Sequence, residues 1–191
     1  MTTPDLSLLL TRTAAGDREA LHAIYENMRQ PVYLYVLVQC GGNRALAEDV
    51  LQDTFIGIWE SAPRYQPTGS AKAWILAIAR HQAFKAQRRE AAFVHPEEPF
   101  WEEVLSPEES TPETAAVGRN ELLRLLCTLP ERERAIVAGY VLAGFKHREI
   151  ATSLHIPLGT ELWLYRRALG RLRALTEQPT ETETKKEEGL S

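Results

Sequence analysis

The chain has 191 residues, 44% of them hydrophobic and 25% charged, and a formal net charge of −4. These proportions fit a soluble globular protein, and no apolar run reaches the roughly 18 residues that a membrane span needs. Residues 91–116 hold seven acidic and no basic residues while 117–176 hold ten basic against five acidic, so the acidic total conceals a C-terminal segment whose charge suits nucleic acid.

From Asp5 to about Ala92 apolar residues recur at three- and four-residue spacings, which predicts four helices. The first covers 5–14 and stops at Gly16. Asp17 caps the second, which runs to Gly41-Gly42 with a kink expected at Pro31. Asn43 caps a third to about Ser61. The prolines and glycine of APRYQPTGS predict a loop, and AKAWILAIARHQAFKAQRRE forms the fourth helix, with Trp74, Ile75 and Ile78 facing the core. The opening MTTPDLSLLLTRTAAGD lacks a basic region before its apolar stretch and has no cleavage site, so a cytoplasmic location is expected.

Residues 93–116, FVHPEEPFWEEVLSPEESTPETAA, are too polar and proline-rich to fold alone and read as an acidic linker. Within it PFWEEVL could form a short helix, docking on a partner or packing back onto a domain. Residues 117–176 form a second helical domain, and 177–191 a disordered tail. Pro130 opens a helix in LPERERAIVAGYVLAG that Gly144 ends. The short helix in KHREIATS, the turn at Leu154-His155-Ile156 and the longer helix from Leu158 have helix-turn-helix proportions, with small Ala151 where two helices must approach. The expected fold is therefore all-α: a four-helix domain over 1–92 and a helix-turn-helix domain over 117–176.

Nucleophile elbows, phosphate-cradling glycine loops and paired carboxylates are absent from the sequence, so no enzymatic activity is expected. Cys40 and Cys127 each stand alone in apolar surroundings and read as buried thiols, and the five histidines are scattered, so neither a metal nor a cofactor is expected. Binding surfaces remain. Asp49, Gln52 and Asp53 share one helical face beside Ile56, either a solvated face or a dock for a basic partner. Arg80, Lys85, Arg88 and Arg89 form a basic strip near the loop that carries Tyr65. Strips of this kind are often solvated, but cations beside a ring are also what single-stranded DNA binding requires.

These residues resemble a known family. AEDVLQDTF (47–55), GIWE and AWILAIARHQAFKAQRR (73–89) are similar to region 2 of the extracytoplasmic-function (ECF) RNA polymerase sigma factors, and LTRTAAGDREALHAIYENM looks like the family's opening. LCTLPERERAIVAGYVLAGFKHREIATSLHIPLGT (126–160) with YRRALGRLR resembles their region 4. The resemblance implies that Asp49, Gln52 and Asp53 grip the coiled coil of the polymerase β′ subunit. It implies that the 62–72 loop, which carries Tyr65, captures a base of the minus-ten element while Arg80, Arg88 and Arg89 hold the backbone. It further implies that the second helix of the helix-turn-helix reads minus-thirty-five promoter DNA, that this domain touches the β flap, and that an anti-sigma factor controls the protein; on that helix Arg166, Arg167 and Arg171 are expected to supply phosphate attraction.

The chain also departs from the family. His81 and Lys85 stand where asparagine and aspartate are usual, and His155 replaces the turn glycine, a position of positive φ that histidine tolerates. Glu161, Leu162 and Leu164 replace the valine, lysine and arginine of the recognition helix. In the family's register this buries Glu161 and turns both leucines to DNA. A rotated facing avoids that by burying Leu158, Leu162, Tyr165, Leu169 and Leu172, and it is the arrangement expected here, giving weak duplex reading. The lost cations keep open an alternative: a sigma mimic that sequesters an anti-sigma factor without initiating transcription. An ordinary helix-turn-helix repressor would leave AEDVLQDTF unexplained.

Overall fold

The computed structural model describes residues 5–92 and 122–177; the expected linker, with PFWEEVL, and the tail after residue 177 lie outside them. All regular structure among the described residues is helical. Helix α1 (Leu6–Ala14) is capped by Asp5. Helix α2 (Arg18–Gln39) is capped by Asp17, whose carboxylate accepts the amides of Glu19 and Ala20 at 3.0 and 3.1 Å. The Ala20 amide and the Arg12 guanidinium together hold the Asp17 carboxyl below its ordinary range. Helix α2 continues through Pro31, with Ile24, Met28, Val32, Tyr35 and Val36 forming one buried stripe across it. Gly41 and Gly42, at φ +66° and +86°, turn the chain as only glycine does freely. Asn43 then caps α3 (Arg44–Ser61) through the Leu46 amide at 3.0 Å. A single 3-10 turn, Ala62–Arg64, leads towards α4 (Ala71–Ala92). Leu10, Ile24, Val36, Ile58, Ile75 and Leu76 are fully buried where these helices meet.

In the C-terminal half, helical residues 122–127 (α5) precede α6 (Glu131–Val137), whose N-cap is Pro130. Helix α6 widens into a π turn over Ala138–Leu142 before Gly144, at φ +67°, redirects the chain. Helices α7 (His147–Ser153) and α8 (Leu158–Thr176) form the helix-turn-helix. His155 occupies the turn at φ +54°, as the missing glycine required. Ala151 is buried where α7 and α8 pack together.

The two sets of helices touch along α2 and α4. Tyr35 of α2 is buried near Arg80 of α4 and Glu131 and Arg134 of α6, and burial pushes its phenol up. Ser70 Oγ donates to Glu149 Oε1 at 3.2 Å. Cys127 Sγ lies 3.8 Å from the Val38 carbonyl. Both cysteines are free, and burial pushes the Cys40 thiol up to about 12, which keeps it in the unreactive protonated form. No helix among the described residues is long and apolar enough to cross a membrane.

Candidate protein and nucleic-acid interfaces

Helix α3 presents Asp49 and Gln52 to solvent, while Asp53 is half-buried with its Oδ2 3.7 Å from Arg89 Nη2 of α4. Beside this face runs a groove between α2 and α3. Leu21, Tyr25, Leu51, Phe55, Ile56 and Trp59 line it together with Glu48, Gln52 and Glu60. Tyr25 meets Phe55 edge-on at 4.9 Å, and Ile56 is 47% exposed. An apolar groove with carboxylates along it accepts the apolar side of a basic helix. Only Ile56 of these apolar residues was singled out from the sequence, although Leu21 and Tyr25 at i, i+4 opposite Phe55 and Trp59 carried the signal.

The expected basic strip on α4 is divided. Lys85 and Arg88 are exposed, and the Arg88 guanidinium lies 5.7 Å from the centre of the exposed Phe84 ring. Arg89 is exposed but paired with Asp53. Arg80 lies half-buried towards Tyr35, its Nε buried with no hydrogen-bond partner among the described residues. Tyr65 is anchored: its hydroxyl shares a 3.0 Å hydrogen bond with Ser7 Oγ, and its ring meets Trp74 edge-on at 5.2 Å. Its free ring surface is therefore smaller than a loop position suggests.

The rotated facing expected for α8 is overturned. Leu158 and Leu169 are exposed, and the helix instead buries Glu161, Leu164 and Ala168, with Tyr165 and Leu172 packed against the core. On this face His147 of α7, whose Nδ1 sits 2.9 Å from Glu161 Oε1, supplies the partner a buried carboxylate needs. Tyr140 stacks on the His147 ring at 4.0 Å and Tyr165 meets it edge-on at 4.8 Å. Leu164 therefore points to the core and not to DNA, and Leu162 is half-buried.

Two of the three arginines expected on phosphates are engaged within the domain. Glu133 of α6 is fully buried; Arg167 Nε donates to its Oε1 at 2.7 Å, and Arg171 Nε lies 3.6 Å from its Oε2. Both arginines keep part of their surface exposed. Arg166 is exposed with no ion pair among the described residues. Trp163, which the sequence reading passed over, is 55% exposed with the Arg167 guanidinium 4.3 Å from its ring centre.

Residues 25–93 match the family model for Sigma-70 region 2 and residues 119–172 that for Sigma-70, region 4. The chain is 30% identical over 138 residues to the ECF RNA polymerase sigma factor RpoE of Cereibacter sphaeroides, covering 72% of this chain and 76% of that protein. It is also 30% identical over 185 residues to ECF RNA polymerase sigma factor ShbA of Streptomyces griseus, covering 91% of this chain and 96% of that one. Its fold is similar to that of CnrH in complex with the cytosolic domain of CnrY, with a TM-score of 0.68 at 20% identity over 92% of this chain and 100% of that one. It is similar too to the sigma factor RpoE in complex with the anti-sigma factor NepR from Bartonella quintana, with a TM-score of 0.64 at 17% identity over 82% of this chain and 96% of that one.

Proposed function

The chain belongs to the extracytoplasmic-function class of RNA polymerase sigma factors, and from that premise we propose how its surfaces direct core polymerase to promoters in the cytoplasm. The unit over 1–92 binds the polymerase β′ coiled coil. One observation carries this assignment: the exposed Asp49 and Gln52 adjoin the open apolar groove of Tyr25, Phe55, Ile56 and Trp59. Charge-assisted hydrogen bonds and apolar burial are then available side by side to one basic amphipathic helix.

The 62–72 loop and the exposed Lys85 and Arg88 engage the melted minus-ten strand, with Arg89 joining once Asp53 releases it. The helix-turn-helix over 117–176 reads the minus-thirty-five duplex and meets the β flap. Arg166 is its phosphate contact, and Arg167 and Arg171 contribute the charge left over from Glu133. An anti-sigma factor is the proposed regulator, since a solved relative is held by one and the groove here is open to a partner helix.

The mimic reading rested on a recognition helix spoiled by Glu161, Leu162 and Leu164. With Glu161 and Leu164 buried, the first two turns of α8 expose no carboxylate, and the initiating reading is favoured. The polymerase surface is tested by retention of core polymerase on the immobilised full chain. Replacing Asp49, Gln52 and Asp53 together by alanine should abolish retention while leaving the melting transition in place. Unchanged retention would contradict the assignment of this face.

A further inference from the structure

Trp163 is the largest side chain that α8 leaves in solvent, at 55% exposure. A scattered surface tryptophan would need no explanation, but this one is held in position. The Arg167 guanidinium lies over its ring at 4.3 Å, and Arg167 is itself fixed by Glu133, which is fully buried and accepts its Nε–H at 2.7 Å. Swinging Arg167 away would leave this buried carboxylate only the longer 3.6 Å contact to Arg171. The indole is therefore held against a cation that is itself tied to the core, with 55% of the residue's surface in solvent.

The position is equally specific. Trp163 is the sixth residue of α8, in the N-terminal part of the helix that reaches base edges when a helix-turn-helix docks in the major groove. Gly159, one turn earlier, carries no side chain and has open space where a Cβ would stand. Arg166, three residues on, is exposed and able to hold a phosphate. The first two turns expose no charged side chain, so whatever is read there is read by Thr160, Leu162 and Trp163 through apolar and hydroxyl contacts. The thymine 5-methyl is the apolar group that the major groove displays.

We propose that Trp163 is a specificity-determining residue of this sigma factor, its indole packing on the 5-methyl group of a thymine in the upstream promoter element. The inference rests on the reading that α8 enters the minus-thirty-five major groove, and adds which base chemistry it selects. Buried Glu133, partly exposed Arg167 and exposed Trp163 form one relay outward from the core, in which the carboxylate orients the guanidinium and the guanidinium orients the ring.

Holoenzyme reconstituted from the full chain and core polymerase is used to select duplexes from a pool randomised over the upstream element. The wild type should enrich thymine at one position that the Trp163→Ala holoenzyme no longer prefers, while its other preferences and its melting transition stay unchanged. In the enriched duplex, replacing that thymine by uracil should weaken wild-type binding about fourfold, the worth of one buried methyl group, and should leave the Trp163→Ala protein unaffected. An unchanged thymine preference in Trp163→Ala, or no response of the wild type to uracil, overturns the role of Trp163 alone. A wild type that enriches no upstream sequence overturns the reading of α8, and this proposal with it.

Discussion

His147 Nδ1 lies 2.9 Å from Glu161 Oε1, joining the first turn of α7 to the first turn of the recognition helix α8. Glu161 is fully buried, and its second oxygen has no hydrogen-bond partner among the described residues. A carboxylate withdrawn from water in this way is held by one partner, and the two partners are not equivalent. Removing the histidine strands the charge, whereas removing the carboxylate leaves a histidine that can reach water.

His147→Ala should therefore destabilise the protein by about 3 kcal/mol, the usual consequence of orphaning a buried charge. Glu161→Val should be neutral or stabilise by about 1 kcal/mol, because an apolar side chain then fills an apolar site. Urea denaturation of the two full-length variants measures both. Equal losses would mean that the pair is a net stabiliser of the domain.

The facing of α8 gives a second outcome. Leu164 is 7% exposed, so Leu164→Arg should cost about 3 kcal/mol or more by forcing a guanidinium into the core. Leu162→Lys, at a half-buried position whose long stem can reach solvent, should change stability by less than about 1 kcal/mol. Thermal unfolding of the pair decides the register, since the rotated facing predicts the opposite order.

His155 holds the turn between α7 and α8 at φ +54°, a region where any side chain with a Cβ is strained. His155→Gly should raise stability by about 0.5–1 kcal/mol, relief of that strain exceeding the added freedom of the unfolded chain. A lower melting temperature for the glycine variant would show that the imidazole makes a contact worth more than the strain.

On α4 the cations separate by environment. Arg88→Ala should flatten the log–log salt dependence of open-complex formation by about 0.7 to 0.9, the slope for one phosphate contact on single- or double-stranded DNA. Arg80→Ala should change mainly folding stability, because Arg80 faces Tyr35 between α2 and α6. Salt titrations of both variants check this, and equal slopes would return Arg80 to a shared strip.

The features legible in the sequence are the local ones. Asp17 and Asn43 cap helices because their side chains reach amides two or three residues on, and Gly144 and His155 turn the chain where the pattern required a positive φ. The order of the two motifs also identified the family. What stayed hidden depends on contacts between distant residues. The facing of α8 buries Glu161 beside His147, a partner fourteen residues away. Arg167 looked like a free phosphate ligand because Glu133, its partner, is thirty-four residues away. Tyr65 looked available until its hydroxyl met Ser7, fifty-eight residues earlier. The basic strip on α4 was read from one helix, and Asp53 and Tyr35, which divide it, lie on two others.

The central claim is that this protein initiates transcription, and run-off transcription with purified core polymerase on a pool of genomic fragments tests it most directly. Discrete start sites should appear that require the full chain and disappear when Asp49, Gln52 and Asp53 are replaced together by alanine. Core polymerase that binds the chain yet starts nowhere above background, while an anti-sigma protein is still captured, would contradict it and establish the mimic in its place.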